Sequence, residues 1–221
     1  MIIDCMKGLI SFIYPAICEI CDTKINLQNT NNNTVCAECL NKIIPFTPVD
    51  YLKLKDIKVW SACSYEGVTR ECIHLFKYKS KLDLVNPLSS IMLKFANNYL
   101  KTDNFDIIIP VPLHSSRFRE RGFNQAELIA RKLAKGLNLP AHSNIIKRVK
   151  LTQAQAGLTK TQRLANLNNA FKVKNGLPVE DKNVLLIDDV FTTGSTINEC
   201  AKALLNAGAK SIEALVLARG I

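Results

Sequence analysis

Along the chain the apolar positions follow two different rhythms, and the change between them predicts the architecture. Lys53, Lys55 and Lys58 alternate along an extended stretch that runs into Val59-Trp60-Ser61-Ala62-Cys63-Ser64-Tyr65, read as a strand closed by a turn at Glu66-Gly67. Helical spacing follows, from Thr69 to Lys79 (Ile73, Phe76) and from Leu88 to Leu100 (Ile91, Leu93, Phe95). From Asp106 the pattern becomes strand–helix–strand. Ile107-Ile108-Ile109-Pro110-Val111-Pro112 is an apolar run entering an arginine-rich loop, His114 to Asn124. A helix then carries Leu128, Ile129, Leu133 and Leu137 on one face. Residues 141–170 show only modest periodicity and predict a mobile segment. Val184-Leu185-Leu186-Ile187 is apolar throughout, as a strand covered on both faces must be. A turn at Thr192 to Thr196, a helix from Ile197 to Ala207 ended by Gly208, and a strand from Ile212 to Ala218 complete the reading. Strands alternating with helices predict an α/β fold with an open, mainly parallel sheet, whose ligands sit beyond the strand C-termini.

The region before Pro45 obeys neither rhythm. Cys18-Glu-Ile-Cys21 and Cys36-Ala-Glu-Cys39 are two knuckles separated by an asparagine-rich, aperiodic loop. Four thiolates at this spacing can close a tetrahedron around one zinc ion, a closed structural site with no open position for catalysis. The expected organisation is a zinc-binding module over residues 1–45 and an α/β domain over residues 46–221. Cys5, Cys63, Cys72 and Cys200 lack ligand spacing and read as buried small hydrophobes.

At 221 residues the chain is long enough for one full core and a small appendage, and its net charge of +10 points to an anionic partner. The apolar stretch Gly8 to Ile17 is interrupted by Pro15 and lacks a signal-peptide cleavage pattern. No segment reaches the length of a membrane span, so the expected location is cytoplasmic, where thiols stay reduced or bind metal.

Candidate chemistry gathers in one segment, Asp188-Asp189-Val190-Phe191-Thr192-Thr193-Gly194-Ser195-Thr196. Adjacent carboxylates at a strand end repel each other and persist where hydroxyls or a metal ion engage them. The turn after them offers backbone N–H groups, hydroxyls and a glycine, and leads into a helix N-terminus that favours anions. Acids suited to a sugar diol or Mg²⁺, beside a phosphate cradle, describe a phosphorylated-ribose site.

This segment resembles the motif by which type I phosphoribosyltransferases bind 5-phosphoribosyl-1-pyrophosphate (PRPP). Together with the four-cysteine knuckles, Pro110-Val111-Pro112-Leu113 and Arg121-Gly122-Phe123-Asn124-Gln125, it resembles the ComF family of competence-associated bacterial proteins. The resemblance implies the type I phosphoribosyltransferase fold. It implies that Asp188 and Asp189 address the ribose hydroxyls directly or through Mg²⁺, that Thr192, Thr193, Gly194, Ser195 and Thr196 hold the 5-phosphate, and that Arg121 and Gly122 serve the pyrophosphate. It puts Gln153, Gln155, Arg163 and Asn166 in a flexible catalytic loop. The implied partners are PRPP, single-stranded DNA and a helicase-like competence protein.

Several residues keep two readings at this level. Arg117, Arg119 and Arg121 suit pyrophosphate, DNA phosphates or a solvated face. His74, His114 and His142 have no mutual ligand spacing and read as structural. Trp60 and Phe76 read as core, and Phe123 as core in preference to a base-stacking surface. Lys77-Tyr78-Lys79 is either a basic patch near the site or a helix end. Three functions fit: a transferase with its own acceptor, a PRPP-binding component of DNA uptake, and a PRPP-sensing regulator that binds DNA; the expected one is a PRPP-binding, phosphoribosyltransferase-like protein that acts in DNA uptake.

Overall fold

The computed structural model describes residues 15–25, 32–46, 52–54, 57–150, 170–174 and 179–220. A five-stranded sheet runs β1 (Leu52–Leu54), β2 (Ile57–Ser64), β7 (Ser211–Arg219), β6 (Asn183–Phe191), β3 (Ile107–Pro110) across the molecule. Only β1 is antiparallel to its neighbour; β2, β7, β6 and β3 are parallel. The lysine-alternating stretch expected to run on into Val59 is thus a hairpin, with Leu52 opposite Val59 and Leu54 opposite Ile57.

Period-two alternation divides the core into two layers. Ile108, Leu185, Ile187, Leu215 and Leu217 face one layer, where they meet α2 (Gly67–Tyr78), α3 (Val85–Tyr99) and α5 (Gln125–Leu137). Ile107, Ile109, Val184, Leu186, Ala214 and Val216 face the other, packed against α6 (Ser195–Asn206) and the antiparallel pair of β4 (Ile146–Arg148) and β5 (Phe171–Val173). Each long helix buries one stripe at three- and four-residue spacing: Cys72, Ile73 and Phe76 in α2, Ile129, Leu133 and Ala134 in α5, Ile197, Cys200, Ala201 and Leu204 in α6. Among the described residues no helix is long and apolar enough to cross a membrane.

The arginine-rich stretch expected as a loop holds a short helix, α4 (Ser115–Arg121). Its ends make it: the His114 ring accepts the Ser116 N–H, and Gly122 at φ +78° takes the left-handed C-cap position. Within the span 141–170, Ile146–Arg148 forms β4; Gln153, Gln155, Arg163 and Asn166 lie outside the described residues.

The cysteine knuckles, with α1 (Ala37–Leu40) starting at Cys36, do not stand apart from this core. Cys18, Ile25, Val35, Cys36, Cys39 and Ile43 belong to the same buried cluster as Cys63, Cys72, Ile73 and Leu84. Behind them the chain pairs with β2, the Phe46 N–H donating to the Ala62 carbonyl at 3.1 Å and the Ser64 N–H to the Ile44 carbonyl at 3.0 Å. On the other side Asp83 accepts from the Asn33 N–H at 2.6 Å and from the Thr34 hydroxyl at 2.7 Å, and Lys81 pairs with Glu19 at 2.5 Å. Cys63, Cys72 and Cys200 are buried as expected, and Cys5 lies outside the described residues.

Asp83 is the polar anchor between the knuckles and the helical layer. Asp83→Ala is expected to cost about 1–3 kcal/mol locally, because it orphans a backbone N–H and a hydroxyl. Hydrogen exchange checks it: amides around Asn33 to Cys39 should exchange faster, while those of α5 and α6 keep their protection.

Candidate functional site

The cleft forms where the chain's connections part. From β3 the chain runs outward through α5 to Ala141, which bridges Ile108 in parallel on the free side of β3. From β6 it runs inward through α6, on the opposite face, to β7. The C-terminal ends of two adjacent parallel strands are thereby left uncovered, the arrangement that makes a ligand crevice in open α/β sheets. A cleft of about 350 Å³ opens there.

Strand β6 continues through the acidic pair, and this decides where the two carboxylates point. Consecutive strand residues face opposite sides. Asp189, in phase with Ile187, faces the helical layer, where Lys77 of α2 reaches it at 2.7 Å. Asp188, in phase with Leu186, faces the other layer and turns its Oδ1 back to accept the Asp189 N–H at 2.8 Å. Burial, and then the neighbouring charge of Asp189, push Asp188 up to about 7. Burial opposes the charge on Lys77, but attraction to Asp189 outweighs it and the amine stands above its ordinary pKa.

After Phe191 the chain turns through Thr192 and Thr193 to Gly194, at φ +74°, and α6 begins at Ser195. A Cβ at Gly194 would meet the Phe191 ring at 2.8 Å and Leu54 at 2.9 Å, so conformation and space both demand glycine. Thr192, Gly194, Ser195 and Thr196 line the cleft. Thr193 is not part of the lining; its hydroxyl bonds that of Ser195 at 2.9 Å.

The opposite wall comes from the segment after β3. Pro112, Leu113 and His114 lead into α4, which presents Arg117 and Arg121 to the cleft and leaves Arg119 exposed outside it. Arg121 lies over the Tyr78 ring at 5.1 Å and donates to Gln125 at 3.2 Å; its Nε has no hydrogen-bond partner among the described residues. Gly122 contributes the turn and lies outside the lining. Asn124 clamps this loop to α5: its Nδ2 donates to the Val111 carbonyl at 3.0 Å while its Oδ1 accepts the Ala126 N–H at 3.2 Å. Arg148 of β4 joins the lining because His114 and Arg148 form a parallel bridge.

Sequence reading missed Arg148 and the role of Lys77. Arg148 sits on a three-residue strand without a pattern, but Lys77 carried a signal. It lies four residues after Ile73, on the buried stripe of an amphipathic helix, where a charge needs a partner. His74 is exposed and packs on Tyr78 at 5.1 Å, and His114 is a helix cap. Phe76 is core, with the Phe123 ring 5.6 Å away, and Trp60 is partly buried with its indole N–H donating to Glu213 at 2.6 Å.

A second cluster is remote from this chemistry. The four sulfurs of Cys18, Cys21, Cys36 and Cys39 lie within 4.8 Å of one another, and are the metal-ligating group found among the described residues. The Cys36 N–H points at the Cys18 sulfur and the Cys39 N–H at the Cys36 sulfur, each at 3.4 Å. Hydrogen bonding from Thr23 draws the exposed Cys21 thiol down to about 6, while burial raises Cys36 and Cys39. Four convergent thiols with N–H groups aimed at sulfur fit a tetrahedral zinc ion.

The position of Asp188 makes stability depend on pH. Its folded pKa of about 7 exceeds the ordinary 3.8, so the folded state holds a proton that the unfolded state has released. Its favourable contribution is complete below pH 3.8 and lost as pH rises through about 7. Asp188→Asn is therefore expected to gain on the wild type as pH rises across that window and to stay the more stable above it, with no gain in acid. Urea unfolding of both proteins across the pH range checks it.

A phosphoribosyl transferase domain model matches residues 94–221. Competence protein F of Haemophilus influenzae is 39% identical over 66% of this chain and 66% of its own. DNA utilization protein YhgH of Escherichia coli O157:H7 is 30% identical over 92% of this chain and 90% of its own. Competence protein ComFC of Bacillus subtilis is 28% identical over 94% and 96%. Among solved structures, a purine phosphoribosyltransferase from Pyrococcus horikoshii Ot3 is similar over 61% of this chain and 73% of that one, at 20% identity and a TM-score of 0.39. The chain belongs to the phosphoribosyl transferase domain family and, within it, to the ComF family.

Proposed function

We propose that the cleft binds PRPP together with Mg²⁺, and that the protein serves DNA uptake as a phosphoribosyltransferase-like component. One observation carries the ligand: the acidic pair, the first turn of α6 and three arginines, Arg117, Arg121 and Arg148, converge on a single cleft. Asp188 and Asp189 suit ribose hydroxyls, which donate to carboxylates. The N–H groups and hydroxyls at Thr192 to Thr196 suit the 5-phosphate at a helix N-terminus. The arginines suit the pyrophosphate, whose charge they oppose in paired N–H geometry.

The same residues describe a transfer reaction. Breaking the bond from ribose C1 to pyrophosphate sends the electron pair to the leaving group and leaves positive charge on the sugar. Mg²⁺ bound with the pyrophosphate would supply further charge neutralisation there. Arg117, Arg121 and Arg148 stabilise the added negative charge, and the acids hold the ribose in place. No side chain need act as nucleophile; the acceptor supplies it. The four cysteines hold zinc as a structural staple.

The DNA-uptake setting rests on relatives named competence and DNA utilization proteins, and on a net charge of +10 that suits a polyanion. In that setting the partners are single-stranded DNA and a helicase-like competence protein, and the location is cytoplasmic.

Calorimetric titration of PRPP with Mg²⁺ tests the ligand. The wild type should bind saturably, and Asp188→Asn/Asp189→Asn should lose at least about a hundredfold in affinity, two charged hydrogen-bonding groups being removed. A folded, zinc-loaded wild type that takes up no PRPP would sink the reading. Retention of single-stranded oligonucleotide is expected to fall steeply as salt rises; absence of retention at low salt would remove DNA from the proposal.

A further inference from the structure

The Lys77–Asp189 ion pair joins two parts of the chain that are distant in sequence. Lys77 precedes residues 94–221, so it reaches the acidic strand end from outside the matched domain. Its side chain is 17% exposed and that of Asp189 12%. Lysine is seldom so covered without a partner. The helix holds it firmly: Cys72, Ile73 and Phe76 are buried beneath it, and the next residue, Tyr78, lies under Arg121. One helix end thus sets an ammonium against the acids and an aromatic ring against the arginine wall.

Adjacent carboxylates ordinarily attract a divalent cation. Here one of them already holds an ammonium, and Arg117, Arg121 and Arg148 also line the cleft: with Lys77, four formal positive charges against the two negative of the pair, Arg117 sharing its charge with Glu120 at 3.7 Å. A free dication meets a positive surface. A polyphosphate that carries its own metal brings the negative charge the cleft lacks.

We infer that Lys77 is a specificity-determining residue of this cleft: an internal counter-ion that keeps free divalent metal off the Asp188–Asp189 pair and admits metal only as a polyphosphate complex. The identity of that polyphosphate as PRPP rests on the reading above; the exclusion of free metal does not.

The test titrates Mn²⁺ alone, followed by its spin resonance, into zinc-loaded full chain at mildly alkaline pH. The wild type should show no saturable site short of millimolar metal. Lys77→Met should gain one at least about tenfold tighter, since a like charge a few ångströms from the metal is gone. Lys77→Gln, which keeps a hydrogen-bond donor for Asp189, should gain it too, and is the decisive variant if Lys77→Met does not fold. Lys77→Arg should behave as wild type. Tight uptake of Mn²⁺ by the wild type, or variants indistinguishable from it, overturns the inference. A parallel series adds Mn²⁺ with inorganic pyrophosphate and with PRPP. Uptake of the pyrophosphate complex alone leaves Lys77 its role and removes PRPP as the ligand. Uptake of PRPP with unchanged metal behaviour in the variants removes the inference and leaves the ligand.

Discussion

Strand β6 has to satisfy two demands that conflict. It lies inside the sheet between β7 and β3, buried on both faces through Val184, Leu185, Leu186 and Ile187, and it then ends in two carboxylates. Period-two geometry resolves the conflict by sending one acid into each layer. Each layer must then provide for its own acid. The helical layer does so with Lys77, and burial in the opposite layer lifts Asp188 to about 7. The placement of α2, the glycine turn before α6 and the clamp at Asn124 all follow from keeping those strand ends open while everything behind them is packed.

The knuckles fit this scheme as a lid on the hydrophobic layer. Ile25, Val35 and Ile43 join the buried cluster that also holds Cys63, Cys72 and Ile73, and so extend that core. Asp83 and Lys81 fix this lid through charged contacts to the chain just after α2. The helix that faces the cleft at one end thus shares its buried cluster with the cysteine knuckles.

Much of the fold was legible because β3 and the buried part of β6 are unbroken apolar runs and the long helices each have one buried stripe. The acidic strand end, the glycine turn and the cysteine spacing were legible because each is contiguous or short-range. What escaped was set by other means. Helix α4 contains only one large apolar residue, Phe118, and that one is exposed; its helicity comes from caps at His114 and Gly122, so periodicity had nothing to detect. Arg148 reaches the cleft through pairing with distant residues of β5 and a bridge to His114, which no local pattern announces. Thr193 and Gly122 sit inside the right motif yet serve its backbone geometry, a distinction visible only once the turns are built.

The order of strands also governs how the chain can be made. β2 is synthesised early, but its parallel neighbour is β7, whose residues leave the ribosome about 150 positions later. Until then one edge of β2 has no partner, and β6 lacks a neighbour on the side away from β3. The cysteine knuckles and the helices around them precede β7 in the chain, whereas the sheet is complete only once β7 pairs with both β2 and β6. A message broken shortly before Ser211 would thus yield not a slightly shortened protein but two half-sheets with bare edges, a substrate for proteases and chaperones.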